Sequence, residues 1–273
     1  MLRKKGNAVG NKSAAHRRWT ALAAASVALL LGASACAAPP TTSYTNETGQ
    51  EVTVNWKDYP VSAGLLPEDF SHAVTQEEAQ ATSDAVLTDI RAALTSVHAF
   101  EWSTRGEAAW FPGGGNGYGG KVMTSTFNST QWESATAPAS NAEWEEIVAV
   151  TSRITTKHGL GGVQLLFDHE NFKTDHSWQK ELIDKYGTAD PQGLWWWEGT
   201  AYTRSQWLVL HMVNVDRDTT GAAAKETEDS GLPARSISIS YGATAVPAKD
   251  QAALTQALEP FVGLTPPEAT TSD

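Results

Sequence analysis

The chain has 273 residues, 41% of them hydrophobic, and 31 acidic against 20 basic side chains give a net charge of −11 at pH 7. Six of the basic residues and none of the acidic ones precede Cys36, so the 238 residues from Cys36 onward hold 14 basic and 31 acidic side chains, a charge of −17. That balance argues against nucleic acid, whose binding rests on neutralised phosphates, and against a body lying flat on anionic lipid.

The first element is an export signal. "MLRKKGNAVGNKSAAHRR" is basic without an acid, and "WTALAAASVALLLG", Trp19 to Gly32, is apolar. Together with a small-residue exit these are the three regions of a secretory signal peptide, spanning residues 1–35. The exit "ASAC", Ala33 to Cys36, resembles the lipobox of bacterial lipoproteins, although Ala33 stands where a large aliphatic residue is usual. The resemblance implies a Cys36 diacylated on sulfur and a membrane partner reached through that lipid. Each buried methylene contributes about 0.8 kcal/mol, so two chains hold a protein at a bilayer. Two other outcomes fit the same residues. Ala33 and Ala35 form an A-x-A cleavage site that would release the body, and Trp19 to Ala38 has the length of an uncleaved span. All three put the body outside the cytoplasmic membrane. Cys36 is the one cysteine, so the body has no thiol for disulfides, zinc or nucleophilic catalysis and depends on its core.

Residues 36–50, rich in Pro and Thr, read as a lipid-anchored disordered tether. "EVTVNW", 51 to 56, alternates as a strand. A helix follows Thr75, boxed with Glu78, with Val86, Ile90, Leu94 and Val97 on one face. "FPGGGNGYGGKV" spells G-x-G-x-x-G at Gly115, Gly117 and Gly120, and nearly a P-loop through Lys121. A phosphate cradle needs a helix directly after the glycines. Strand-like "KVMTSTFN" follows, so a flexible loop is expected. A second helix starts at Ser140, boxed with Glu143, places Trp144, Ile147, Val148 and Ile154 inward, and ends at Gly159. Its acids Glu143, Glu145 and Glu146 suit a helix N-terminus better than a glycosidase carboxylate pair.

"VQLLFD", 163 to 168, reads as a strand. "DHENFKTDH", Asp168 to His176, gathers imidazoles and carboxylates suited to a divalent metal, without an established ligand spacing. "LWWWEGTAYT" (194–203) and "WLVLHMVNV" (207–215) read as a hairpin, and "RSISISY" (235–241) as a further strand. Between them 216–233 reads as a polar loop. A short helix in "AKDQAALTQALEPF" closes a single domain over 51–262, leaving 263–273 as a disordered tail. The fold class is α+β, a mostly antiparallel sheet with two or three helices packed on one face.

"FEWST" before a Gly-rich stretch, and "AEWEEIVAVTSRITTKHGLGGVQLLFD", together resemble the LppA-like lipoproteins of actinobacteria. That resemblance implies a surface lipoprotein with an α+β body and brings no catalytic residues and no cofactor. The expected function is therefore a non-enzymatic binding or accessory module for an envelope glycan, lipid or protein. Its ligand residues would be the strand indoles Trp195, Trp197 and Trp207, with Trp195 and Trp197 on one face and Trp196 on the other. The alternative is an extracytoplasmic metal-dependent hydrolase using Asp168, His169, Asp175 and His176.

Overall fold

The computed structural model describes residues 38–270 apart from 47, 71, 72 and 204. The segment expected as a signal peptide, and Cys36, lie outside the described residues. The segment expected as a tether is partly structured. Thr41–Thr45 (β1) pairs antiparallel with Glu51–Asn55 (β2), and Ser43 meets Thr53 through their hydroxyls at 2.7 Å. β-Branched Thr and Val suit such a pleated ladder despite the low apolar content that suggested disorder.

Gln76–Val97 forms α1 and Asn141–Lys157 forms α2, and both begin with the capping boxes read from the sequence. Val86, Ile90 and Leu94 are buried, whereas Val97, in the last turn, is exposed. In α2, Trp144 and Ile147 are buried and Val148 and Ile154 half-buried; Gly159, at φ +79°, takes the left-handed position after its cap.

Between these helices lie β3 (Ser103–Arg105), β4 (Ala109–Pro112), β5 (Ser125–Asn128) and β6 (Gln131–Ser134). The chain then forms β7 (Gln164–Leu165), α3 (Glu170–Thr174), α4 (His176–Tyr186), β8 (Trp196–Thr203) and β9 (Gln206–Asn214), and ends with α5 (Ala222–Asp229), β10 (Arg235–Ala245) and α6 (Gln251–Leu258). β7 is shorter than the strand expected over 163–168, because residues 166–168 turn into a 3-10 helix beyond the pairing with β8. The polar segment 216–233 contains α5. Its AAAKETED run has high helix propensity, and the Asp218 carboxylate accepts from the backbone of Ala223 at 2.8 Å.

The fold is α+β with an eight-stranded antiparallel sheet in the order β3-β6-β10-β9-β8-β7. β5 lies beside the C-terminal half of β10 and β4 lies beside β5. Alternation on β8, β9 and β10 sends Trp197, Ala201, Leu208, Leu210, Met212, Ile237, Ile239 and Tyr241 to one face, where they pack with α1 and α2. The helices α4 and α5 cover one end of the opposite face, around Val213, Ala223, Leu182 and Tyr186. A third cluster joins the β1–β2 hairpin to α6 through Val54, Trp56, Tyr59, Tyr118, Leu254, Leu258 and Phe261. The expected disordered tail packs back on the body up to Thr270, where Tyr118 donates to the Pro267 carbonyl at 2.9 Å and the Thr270 amide to Gly117 at 2.8 Å. Among the described residues no helix is long and apolar enough to cross a membrane.

Candidate functional site

A cleft of about 360 Å³ opens where α4 and α5 meet the outer sheet face. The strands supply Trp196, Glu198 and His211, α4 supplies Trp178, Glu181 and Lys185, and α5 supplies Glu226 and Thr227. Its positions follow from local sequence. Asp175 caps α4 by accepting from the amides of Ser177 and Trp178, which fixes Trp178 at the first turn, edge-on to Phe172 at 4.7 Å. At the other end of α4, Lys185 donates to Glu226 at 2.7 Å and the Tyr186 hydroxyl donates to the same carboxylate oxygen at 2.5 Å, joining α4 to α5. These hydrogen bonds hold the Glu226 carboxyl below its usual range and raise Lys185. His211 sits half-buried on β9 between Glu198 of β8 and Ser238 of β10. Burial lowers its affinity for a proton and the facing Glu198 opposes that shift.

The three indoles expected to form one ligand surface are divided. Trp197 is 1% exposed, packs edge-on to Trp144 at 5.3 Å and Phe167 at 5.2 Å, and donates to the Pro191 carbonyl, so the core takes it entirely. Trp207 is half-buried on the outer face, lying so close over Gly242 that a Cβ there would meet its ring at 2.2 Å. Four residues separate Trp207 from His211, about 13 Å along the strand, so it belongs to the far end of the sheet. Trp195 does line the cleft. The expected pairing of Trp195 with Trp197 fails because β8 begins only at Trp196, so strand alternation does not reach back one residue. Trp195 packs instead edge-on to Tyr186 at 5.6 Å. It is 7% exposed, and its buried indole N–H has no acceptor among the described residues. Trp178 and Tyr186 were not foreseen as site residues; the only signal was that they lie on the helix that Asp175 starts.

The residues Asp168, His169, Asp175 and His176 do not converge. All four are exposed, Asp175 is spent on the α4 cap, and among the described residues no group of three or more His, Cys, Asp or Glu is placed to hold a metal. The glycine segment is not a flexible loop. The fully buried Asn116 donates to the carbonyls of Trp56, Lys57 and Tyr59 and accepts from the amides of Tyr118 and Gly120. A Cβ on Gly120 would lie 1.8 Å from the Lys57 carbonyl, so the glycine serves close packing rather than phosphate. Glu143 is used in the α2 capping box.

One arrangement invisible in the sequence is a row across three strands, in which Glu198 faces His211 and His211 faces Ser238. The residue types match a hydrolytic triad, but no hydrogen bond joins them. Ser238 also lies mid-strand with β9 and β6 on either side, so its neighbours' amides serve the ladder and none is left to bind an oxyanion. Of this row, Glu198 and His211 line the cleft. Comparison with protein-family models found no match, and searches of curated proteins and of solved structures found none either.

Proposed function

We propose that this chain is a bacterial envelope lipoprotein, moored by lipid on Cys36 and exposed outside the cytoplasmic membrane, whose body is a non-enzymatic binding module of the LppA-like kind. The ligand surface is the cleft between α4, α5 and the outer sheet face, which replaces the three-indole strand platform. One observation carries this reading. The cleft gathers the indoles of Trp178, Trp195 and Trp196 beside the side chains of Glu181, Glu198 and His211. Pockets that combine aromatic walls with a few polar groups are the usual form of a ligand site.

The attachment rests on the basic, apolar and small-residue succession before Cys36. The acidic body would be repelled by anionic lipid, and a lipid anchor holds it at the surface without contact along the body. Mass spectrometry of the native protein tests this. An N-terminal peptide beginning at Cys36 with two acyl chains is expected, together with movement of Cys36→Ala into the soluble fraction. Met1 retained on a cytosolic molecule would overturn it.

A further inference from the structure

We infer that the cleft takes an organic ammonium ion, alkylated at nitrogen and carrying no anionic group of its own, an inference that rests on the binding-module reading above. One ammonium group is already in place there and belongs to the protein. The Lys185 nitrogen lies over the Tyr186 ring, 5.0 Å from its centre, and donates to Glu226 at 2.7 Å. A ring face carries negative charge at its centre and draws in a cation, and a carboxylate beside it adds a full charge. The same cleft holds a second set of these residue types, Trp178 and Glu181 from α4 with Trp196 and Glu198 from β8. Among the described residues neither of these carboxylates has an ion-pair partner, since the one lysine lining the cleft is engaged by Glu226.

Charge separates the candidate occupants. Three carboxylates and one lysine line the cleft, and burial biases the adjacent His211 toward its neutral form, so the lining carries an excess of negative charge. The net −17 from Cys36 onward gives the field of the whole body the same sign. A phosphate, a fatty-acid carboxylate or an ammonium with an anion attached is therefore repelled. A neutral sugar or an alkyl chain would cover the half-buried Glu198 without supplying a counter-charge, and a carboxylate taken further out of water alone is costly. A bare divalent ion needs converging ligands, and among the described residues no group of three or more His, Cys, Asp or Glu is so placed. A primary ammonium is compact and strongly hydrated, whereas N-alkyl groups lower that hydration and give the indoles apolar surface to contact. At about 360 Å³ the cleft lies near the small end of ligand sites, which suits an ammonium with short substituents.

The test is a titration of the full chain in micelles of a nonionic polyoxyethylene detergent at constant ionic strength, following its indole N–H resonances. The probes are choline chloride, phosphocholine and N,N′-diacetylchitobiose. Choline should move indole signals saturably, and phosphocholine, the same ammonium as a lipid headgroup carries it, should bind about tenfold more weakly or worse. Glu198→Gln and Glu181→Gln keep the side-chain size and should each weaken choline about three- to tenfold. Glu181→Lys, at an exposed position where folding is not at stake, should weaken it further. An unchanged urea midpoint shows that each variant is folded. Choline affinity unchanged in all three variants would overturn the inference, and so would phosphocholine binding as tightly as choline. Chitobiose binding in place of choline would also overturn it, while leaving a ligand-binding cleft in place. Silence with all three probes would overturn both the ammonium inference and the cleft as the ligand surface, and the lipid anchor would still be judged separately by the mass of the Cys36 peptide.

Discussion

Asn116 shows how much one polar side chain can hold. Its amide and carbonyl make five hydrogen bonds to the backbone of two segments almost sixty residues apart, the chain after β2 and the Gly-rich loop. Replacement by alanine would strand the carbonyls of Lys57 and Tyr59 and the amides of Tyr118 and Gly120, each costing about 1–3 kcal/mol when nothing relaxes, while the Trp56 carbonyl keeps the Tyr59 amide. Because relaxation and water entry recover part of this, Asn116→Ala should lower stability by at least about 3 kcal/mol in urea unfolding. A loss under 1 kcal/mol would mean that the loop is not a structural knot.

His211 sets a pH window of its own. Its folded pKa lies below the ordinary 6.5, so between those two values the unfolded chain binds the extra proton. Stability therefore falls as pH drops below about 6.5. The capping carboxylates Glu78 and Glu143, with folded pKa values below their usual range, keep their contribution down to about pH 4.5 and lose it below, as pH falls toward those folded values. His211→Gln should flatten the stability profile between pH 7 and 5 and leave the acid limb below pH 4.5 unchanged. A parallel decline in both proteins would assign that slope elsewhere.

At the scale of elements, α4 and α5 form the outer wall of the cleft, and their direct polar link is the Glu226 carboxylate with Lys185 and Tyr186. Both charges of the pair are nearly half exposed, so the ion pair adds little to global stability, less than about 1 kcal/mol. Its effect should be local. Glu226→Ala is expected to leave the midpoint of urea unfolding almost unchanged while amide exchange along α5 accelerates severalfold. Equal protection of α5 in both proteins would show that burial of Ala223 and Thr227 is what holds the helix.

The elements also mark what could be read in the sequence. α1 and α2 were legible to within a residue because Thr75–Glu78 and Ser140–Glu143 state their starts locally, and β8–β9 because two apolar runs are separated by a short turn. The β1 strand and the docked tail were not legible. Their stability comes from partners far along the chain, such as Pro260 for Tyr44 and Tyr118 for Pro267, and composition alone reads Thr-rich and Pro-rich segments as disordered. α5 was missed because its exposed face is polar and only Ala223 and Thr227 are buried. The cleft was half legible. Trp195 stood out as one of three tandem indoles, but its separation from Trp197 depends on where β8 begins, which no periodicity specifies. The Glu198–His211–Ser238 row depends on register between strands and is absent from the linear order.

For the whole molecule, the main consequence concerns where the body begins. If the segment up to residue 50 were only a spacer, a protein starting at Glu51 would be as stable as one starting at Ala38. The structure predicts otherwise. Such a truncation removes the partner of β2, the Thr42 hydroxyl that accepts from the Trp56 indole at 2.9 Å, and the Pro40 carbonyl that accepts from the Trp56 amide at 2.9 Å. Trp56 is the centre of the cluster between the β1–β2 hairpin and α6, with Tyr59, Tyr118 and Phe261 all within 5.6 Å ring to ring. Leaving its two donors unpaired and one side of β2 open should cost about 2–4 kcal/mol. For a body of this size that corresponds to a midpoint about 5–15 °C lower. Calorimetry of the two proteins decides it, with Thr42→Val in the longer one isolating the indole bond. Coincident midpoints would return residues 38–50 to the role of a spacer. A lower midpoint leaves the stretch between Cys36 and the folded body at only a few residues, so the lipid anchor proposed on Cys36 would be a short one, and a net charge of −17 from Cys36 onward would oppose flat contact with anionic lipid.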